Sequence, residues 1–169
     1  MCTRWSGCCL GLLVAAAPLA AQAPAPMQVQ VIAITWIIES VVLKLSQVPA
    51  VVCLSSAIPR QLDGHTAPML PGVDLDSATI SSIPKSRVPF RPGSACSMGT
   101  VRPRPTLETS TGRQAVAVQV GPAQMEGEAR AAVEIEYRMH GLWASGYRCV
   151  AIQRGALWLL DACTRTWVS

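Results

Sequence analysis

The pattern of apolar and polar positions divides the chain into an apolar first part, a loop-rich middle and a strand-rich last part. Residues 29–45, "VQVIAITWIIESVVLKL", are apolar on almost every side. The segment is shorter than the roughly twenty residues of a membrane span, and Glu39 and Lys44 interrupt it. We therefore expect a helix buried against a sheet. The many β-branched residues leave a strand as the alternative.

The most regular periodicity lies in the last part of the chain. In "EARAAVEIEYRMH" (128–140), mostly polar even positions alternate with apolar odd ones, which is typical of a half-buried strand. The segments "QAVAVQV" (114–120), "WASGYRCVAIQ" (143–153) and "ALWLLDACTRTWV" (156–168) also have strand composition, and glycine-containing turns separate them. The last part therefore predicts four antiparallel strands in a meander.

The middle of the chain, residues 46–112, is rich in Pro, Gly and Ser, and only "AVVCLSS" (50–56) predicts a short strand. A loop region of this length usually carries a cross-link or a function. The expected fold class is α+β. One N-terminal helix, in residues 24–45, packs on a four-stranded antiparallel meander in 113–169, and a disulfide cross-links the long Pro-rich loop region between them.

The turns predict a register for the meander, because a shift of one residue would move every side chain to the other face. A three-residue turn at 140–142 and a two-residue turn at 154–155 place Glu134, Arg148 and Asp161 in a row across three strands. We expect this row to be structural, since a guanidinium lowers the pKa of a carboxyl group and general acid catalysis needs it raised. The opposite face would receive the helix, and it carries Val133, Ile135, Tyr137, Met139, Trp143, Tyr147, Cys149, Trp158 and Leu160.

The first 23 residues have the three parts of a secretory signal peptide. Arg4 and the amino terminus are positive, residues 9–20 form an apolar run, and residues 21–23 place small side chains where a signal peptidase cleaves. We expect cleavage after residue 23, or after residue 21 because Pro24 hinders the peptidase. Cleavage would remove three cysteines and leave one exported domain, 24–169, with no transmembrane segment.

Composition bears on the source of the protein and on its partners. The chain has no Asn and has twelve Arg against two Lys, which indicates a GC-rich genome and favours a periplasmic or secreted bacterial protein. After cleavage, thirteen basic and ten acidic residues leave a net charge of +3. This charge is too small to indicate a nucleic-acid partner, and none is expected.

A stretch rich in arginine offers the candidate partner contacts Arg87, Arg91, Arg102 and Arg104. Glu108 is the only acidic residue between residues 85 and 113. The "RPRP" sequence would hold two of these arginines apart on an extended backbone. The pattern predicts contact with an anionic component of the cell envelope, or with a protein.

Four cysteines, Cys53, Cys96, Cys149 and Cys163, are spaced for disulfides, and four allow three connectivities. The favoured pair is Cys53 with Cys96, which would close the long loop. The expected register places Cys149 and Cys163 on opposite faces, so that a bond between them would need a bulge or a three-residue last turn. The second pairing is therefore left open.

The chain offers few catalytic candidates. "SIPK" (82–85) has the Ser-x-x-Lys spacing of serine acylases in Ser82 and Lys85, but a proline lies inside it and the companion motifs are missing. His65 and His140 have no evident partner, and no metal motif is present, so that no cofactor or metal is expected. The function expected is non-catalytic binding. The alternatives are a hydrolase or transferase that uses Ser82 with Lys85, or a cysteine with one of the histidines, and an enzyme inhibitor that presents residues 85–105.

Four segments resemble small secreted proteobacterial proteins of no known function. They are "CLSS" (53–56), "PGSAC" (92–96), "GYRCVAIQRGALW" (146–158) and "TWVS" (166–169). The resemblance spans most of the chain after the signal peptide. It implies a single-helix, antiparallel-sheet α+β architecture and no particular activity, so no functional residue is carried over from it.

Overall fold

A computed structural model describes residues 24–62, 65–100, 102 and 104–169, so the expected signal peptide lies outside the described residues. Two α-helices, α1 (Ala25–Ser40) and α2 (Ser77–Ser82), are present in this part, with short 3-10 helices at Val42–Lys44 and Gly93–Ala95. Its strands are β1 (Val51–Leu62), β2 (His65–Asp74), β3 (Phe90–Pro92), β4 (Cys96–Met98), β5 (Thr106–Glu108), β6 (Ala115–Val120), β7 (Gln124–Gly127), β8 (Arg130–His140), β9 (Trp143–Arg154) and β10 (Leu157–Val168).

The predicted fold class is wrong, because the described part is mostly β and its main sheet is larger than a four-stranded meander. Eight strands form one mixed sheet whose path is β10-β9-β8-β6-β1-β2, with β3 beside β1 and β7 beside β8. β1 runs parallel to β6 and β3, whereas the other neighbours in this sheet are antiparallel. β4 and β5 form a separate two-stranded sheet.

The error arose in the middle segment, where prolines favoured a loop. Five strands lie among the described residues between 46 and 112. A proline is tolerated in a sheet at an edge or a bulge, where its missing N–H is not needed. Pro59 lies at a register irregularity of β1, between Ile58 and Arg60. Pro68 and Pro71 belong to β2, the last strand on its side of the sheet. The prolines therefore sit where a sheet accepts them.

Helix α1 covers one face of the main sheet. Proline occupies the first turn of the helix, where its fixed φ is favourable and no N–H partner is lost. The buried residues recur at helical spacing and form one stripe along the helix. Packing of this stripe against the sheet stabilises the helix and outweighs the strand preference of its β-branched residues. They are Val29, Ala33, Ile34, Ile37 and Ile38.

The core between α1 and the sheet includes Val52, Val116 and Ile135 from three adjacent strands. Trp36 of the helix meets Tyr147 of β9 edge to face, with 5.2 Å between ring centroids. By length and composition alone, residues 25–44 could cross a membrane, a criterion that a core helix or a signal sequence also meets. In the structure one face of this helix is packed against the sheet.

The other face of the sheet carries the β4–β5 pair. Cys53 alternates with Val52 and Leu54, which belong to the helix-side core, so its side chain lies on this second face. A disulfide joins it to Cys96 at the start of β4. At the far end of the pair, Thr106 Oγ1 donates a hydrogen bond to the carbonyl of Arg138, 3.2 Å away. The β4–β5 pair is thus attached to β1 and β8.

Candidate binding sites

Two disulfides are present among the described residues. Cys53 bonds to Cys96, joining β1 to β4, and Cys149 bonds to Cys163, joining β9 to β10. Disulfides are typical of proteins outside the reducing cytosol. Together with the apolar N-terminal helix, they suggest an exported protein.

A bulge accounts for the β9–β10 disulfide. Arg154 pairs with Leu157, so the turn lies one residue further along the chain than expected. This change leaves the side chains at the start of β10 on the faces of the sheet that were predicted for them. The register then shifts around Asp161. Beyond this bulge Cys163 lies directly opposite Cys149, with 4.0 Å between Cα atoms. A bulge is one of the two ways by which the expected register could reach this pairing.

Glu108 holds Arg91 at the second face of the sheet. The Glu108 side chain is only 3% exposed, and its carboxylate receives Arg91 Nε at 3.3 Å and Arg113 Nη2 at 3.0 Å. Thr111 Oγ1 donates a further hydrogen bond at 2.5 Å. The bond from Thr111, followed by that from Arg113, lowers the pKa of Glu108 below its ordinary value. The guanidinium of Arg91 therefore forms a structural ion pair with Glu108.

The four arginines expected to contact a partner have different surroundings. Arg87 lines a cavity beside α1, and Arg91 pairs with Glu108. Arg102 and Arg104, in the connection between β4 and β5, are exposed. Neither has an ion pair among the described residues. Of the four arginines, only Arg102 and Arg104 are exposed in the same connection between strands.

Arg104 lies next to the turn between β8 and β9, and Arg102 precedes it by two residues in the same connection. The N–H of Gly141 donates to the Arg104 carbonyl at 3.2 Å, and Pro105 forms a bridge with His140. Arg104 has a φ of +47°, a left-handed conformation that is uncommon for a residue other than glycine. The β4–β5 connection and the β8–β9 turn thus meet at one end of the sheet.

Apolar side chains accompany the two arginines at this end of the sheet. Leu142 is 74% exposed, Trp143 is 37% exposed, and Met98, at the end of β4, is 40% exposed. Trp143 was predicted on the core face, but it follows a register irregularity at the end of β8 and stacks edge to face on His140. We call this set, with the two arginines included, the hairpin-tip surface: Met98, Arg102, Arg104, Leu142 and Trp143.

Sequence patterns did not reveal this surface, because the arginines and the "HGLW" turn lie far apart in the chain. The turn is the one visible signal, since it places Leu142 and Trp143 together where a reversing chain exposes its side chains. The 37 residues between Arg104 and Leu142 gave no indication that the two segments meet. Their proximity comes from the sheet topology.

The expected charge row has different partners in the structure. Glu134 pairs in register with Arg148, but Asp161 lies in the β10 bulge and is not opposite it. Arg148 Nη2 instead donates to the Glu126 carboxylate, and Asp161 Oδ2 lies 3.5 Å from Arg130 Nη1. The expectation of a simple row is wrong because the bulge moves one member. The resulting network is solvent-exposed, and exposed pairs of this kind contribute little to stability.

The candidate catalytic residues do not form a nucleophile–base pair in the described part. Ser82 is the last residue of α2, and its hydroxyl donates to the Ala78 carbonyl at 2.8 Å. Lys85 follows beyond an extended residue and is therefore not one helical turn away on the same helix. His140 Nδ1 accepts a hydrogen bond from the backbone N–H of Leu142. The side chain of His65 lies outside the described residues.

A cavity of about 180 Å³ opens between α1 and the segment that leads from α2 to β3. Two of its lining residues are the candidates Lys85 and Arg87, and the helix contributes Glu39. Within the described residues, no group of three or more His, Cys, Asp or Glu side chains could hold a metal ion. The cavity is thus lined by charged groups of both signs.

No protein-family model, curated protein or solved structure matches this chain. The resemblance to small secreted proteobacterial proteins therefore stays a prediction.

Proposed function

We propose that the protein is a non-catalytic binding domain of the bacterial cell envelope, periplasmic or secreted, that docks on anionic lipid through the hairpin-tip surface. The observation that carries the proposal is the exposure of Leu142 and Trp143 at the turn that meets the β4–β5 connection, in which Arg102 and Arg104 are exposed. Apolar side chains at a tip can enter the headgroup region of a bilayer, where tryptophan is favoured. Guanidinium groups beside them can bind lipid phosphates.

The size of the expected effect follows from the two arginines. A basic side chain near an anionic membrane surface contributes about 1 kcal/mol to binding. Loss of Arg102 and Arg104 together should then weaken binding by about 2 kcal/mol, or roughly 30-fold. Leu142, most of which is exposed in the free protein, should contribute about tenfold on burial in the interface.

Sedimentation with lipid vesicles tests the proposal. Vesicles that contain phosphatidylglycerol should bind the protein, and pure phosphatidylcholine vesicles should bind it less. Added salt should weaken the binding, because exposed charges are screened. The double variant Arg102→Ser with Arg104→Ser, and the single variant Leu142→Ser, should bind more weakly by the factors given above, with unchanged melting temperatures.

The opposite end of β9 provides matched control variants. Arg154 is exposed and Leu157 is 62% exposed, and they flank the turn between β9 and β10. Arg154→Ser and Leu157→Ser should leave vesicle binding unchanged. Equal losses in these controls, or unaltered binding of the hairpin-tip variants, would show that this surface does not dock on lipid.

The inhibitor hypothesis has less geometric support. Residues 85–105 would need to form one projecting loop, but this stretch contains β3, a 3-10 helix and β4. A disulfide and the pair between Arg91 and Glu108 attach it to the sheet. The hydrolase alternative also lacks a positioned base for Ser82 within the described residues. Lipid docking uses only the part of the stretch that is exposed.

A further inference from the structure

The cavity beside α1 is a site separate from the hairpin-tip surface, and shares no residue with it. Its apolar lining is formed by Ile38 of α1, Leu43 of the following 3-10 helix, Ile83 and Phe90. Ile38 and Ile83 belong to the buried core, at 2% and 7% exposure. The inner wall of the cavity is therefore formed by Ile38 and Ile83, which are both buried in the core.

The volume of about 180 Å³ limits what the cavity can hold. An engineered protein cavity of about 150 Å³ holds benzene, whereas sites for drug-sized ligands begin at about 300 Å³. The apolar part of a ligand would thus have the size of one aromatic ring or of a branched aliphatic side chain.

Three charged side chains line the same cavity. Lys85 and Arg87 come from the segment after α2, and Glu39 comes from the last turn of α1. All three are exposed, and none of them belongs to an ion pair among the described residues. Ser86, which lies between the two cations, accepts a hydrogen bond from the Val88 N–H and keeps its own proton for donation. The lining can therefore receive one anionic and one cationic group at the same time.

We infer that this cavity binds a small hydrophobic α-amino acid. Lys85 and Arg87 would bind the carboxylate, Glu39 would bind the ammonium group, and the apolar lining would enclose the side chain. A simple carboxylate would contact only the two cations, and a simple amine would contact only Glu39. The zwitterion with an apolar side chain matches all of these groups. The inference does not depend on lipid docking.

Isothermal titration of the full chain, with its disulfides intact, tests this inference. L-Phenylalanine should bind saturably with one site per chain. Phenylalaninamide lacks the carboxylate and 3-phenylpropionate lacks the ammonium group, and each should bind about two- to fivefold more weakly, because a contact with an exposed charged side chain contributes up to about 1 kcal/mol. The variants Arg87→Gln and Glu39→Gln should weaken phenylalanine binding to a similar extent, without a change in melting temperature.

Matched controls are Arg154→Gln and Glu128→Gln, which replace exposed residues outside the cavity. They should bind phenylalanine as the unaltered chain does. Three results would overturn the inference: no saturable binding at millimolar phenylalanine, equal binding of 3-phenylpropionate or the amide, or unchanged binding in both cavity variants. Since none of these titrations involves lipid, they are independent of the vesicle experiment.

Discussion

We predict that position 146, inside β9, must be glycine, because Trp167 lies over it and leaves no room for a side chain. A glycine inside a strand often marks the close approach of another group. Gly146 pairs with Trp167 on β10 and with Glu136 on β8. A Cβ atom at position 146 would lie 2.0 Å from Trp167 Nε1 and 2.6 Å from its Cε2. These distances are far below van der Waals contact, so the substitution Gly146→Ala must displace the indole or the strand.

The free energy of this displacement can be bounded. Insertion of an extra methyl group into a packed site typically destabilises a protein by about 1–3 kcal/mol. Replacement of glycine by alanine inside a strand otherwise stabilises it by about 0.5–1 kcal/mol, because the unfolded chain loses freedom. Gly146→Ala should thus lower the free energy of unfolding by up to about 2.5 kcal/mol. In a Trp167→Ala background the same change should be neutral or stabilising, which gives a coupling energy of about 1–3 kcal/mol.

Urea unfolding followed by far-ultraviolet circular dichroism measures the four members of this cycle, with the disulfides intact. Gly127→Ala is the matched control, because no atom lies within 4 Å of a Cβ at that position and its backbone is not left-handed. It should leave stability unchanged or raise it slightly. If Gly146→Ala lowered stability equally with and without Trp167, the steric argument would be refuted.

Two further predictions concern the cross-links and the buried carboxylate. The β1–β4 disulfide joins residues 43 apart, and the β9–β10 disulfide joins residues 14 apart. Replacement of the two cysteines of the first bond by alanine should lower the free energy of unfolding in urea by about 4 kcal/mol, and the same change at the second bond should lower it by about 3 kcal/mol. A larger loss at the second bond would contradict loop closure as the cause. The lowered pKa of Glu108 means that its ion cluster stabilises the fold above the ordinary value of 4.5 and that this contribution is lost as the pH falls through the lower folded value. Glu108→Gln should therefore flatten the acid side of a stability–pH profile, whereas Glu128→Gln should not.

Local periodicity predicted the parts of the fold that depend on neighbouring residues. Strands β8, β9 and β10 lie in the segments where alternation or β-branched composition indicated them. The predicted three-residue turn placed Glu134 opposite Arg148, and this pairing is present in the structure. The observed turn is tighter, but the irregularity beside it at the end of β8 restores the same register. Hairpins are local, so their register follows from short stretches of sequence.

Parallel pairing could not be predicted in the same way. β1 and β6 run side by side, although 52 residues separate Leu62 from Ala115. Nothing in either strand specifies a partner so far along the chain, and the prolines of β2 argued for a loop. The buried run Val51–Leu54 was a missed signal, since a continuous apolar strand is typical of a position inside a sheet with both faces covered.

The same non-local topology explains why an arginine occupies a left-handed position at the hairpin tip. A residue other than glycine with positive φ costs of the order of 1–3 kcal/mol unless its surroundings hold it there. Arg104 is held by the bond from the Gly141 N–H to its carbonyl and by the bridge between Pro105 and His140. Glycine would adopt this conformation without strain, so the backbone alone gives no reason for an arginine. Its exposed side chain, in the connection that meets the β8–β9 turn, supplies one, which links the strain at Arg104 to the surface proposed to dock on lipid.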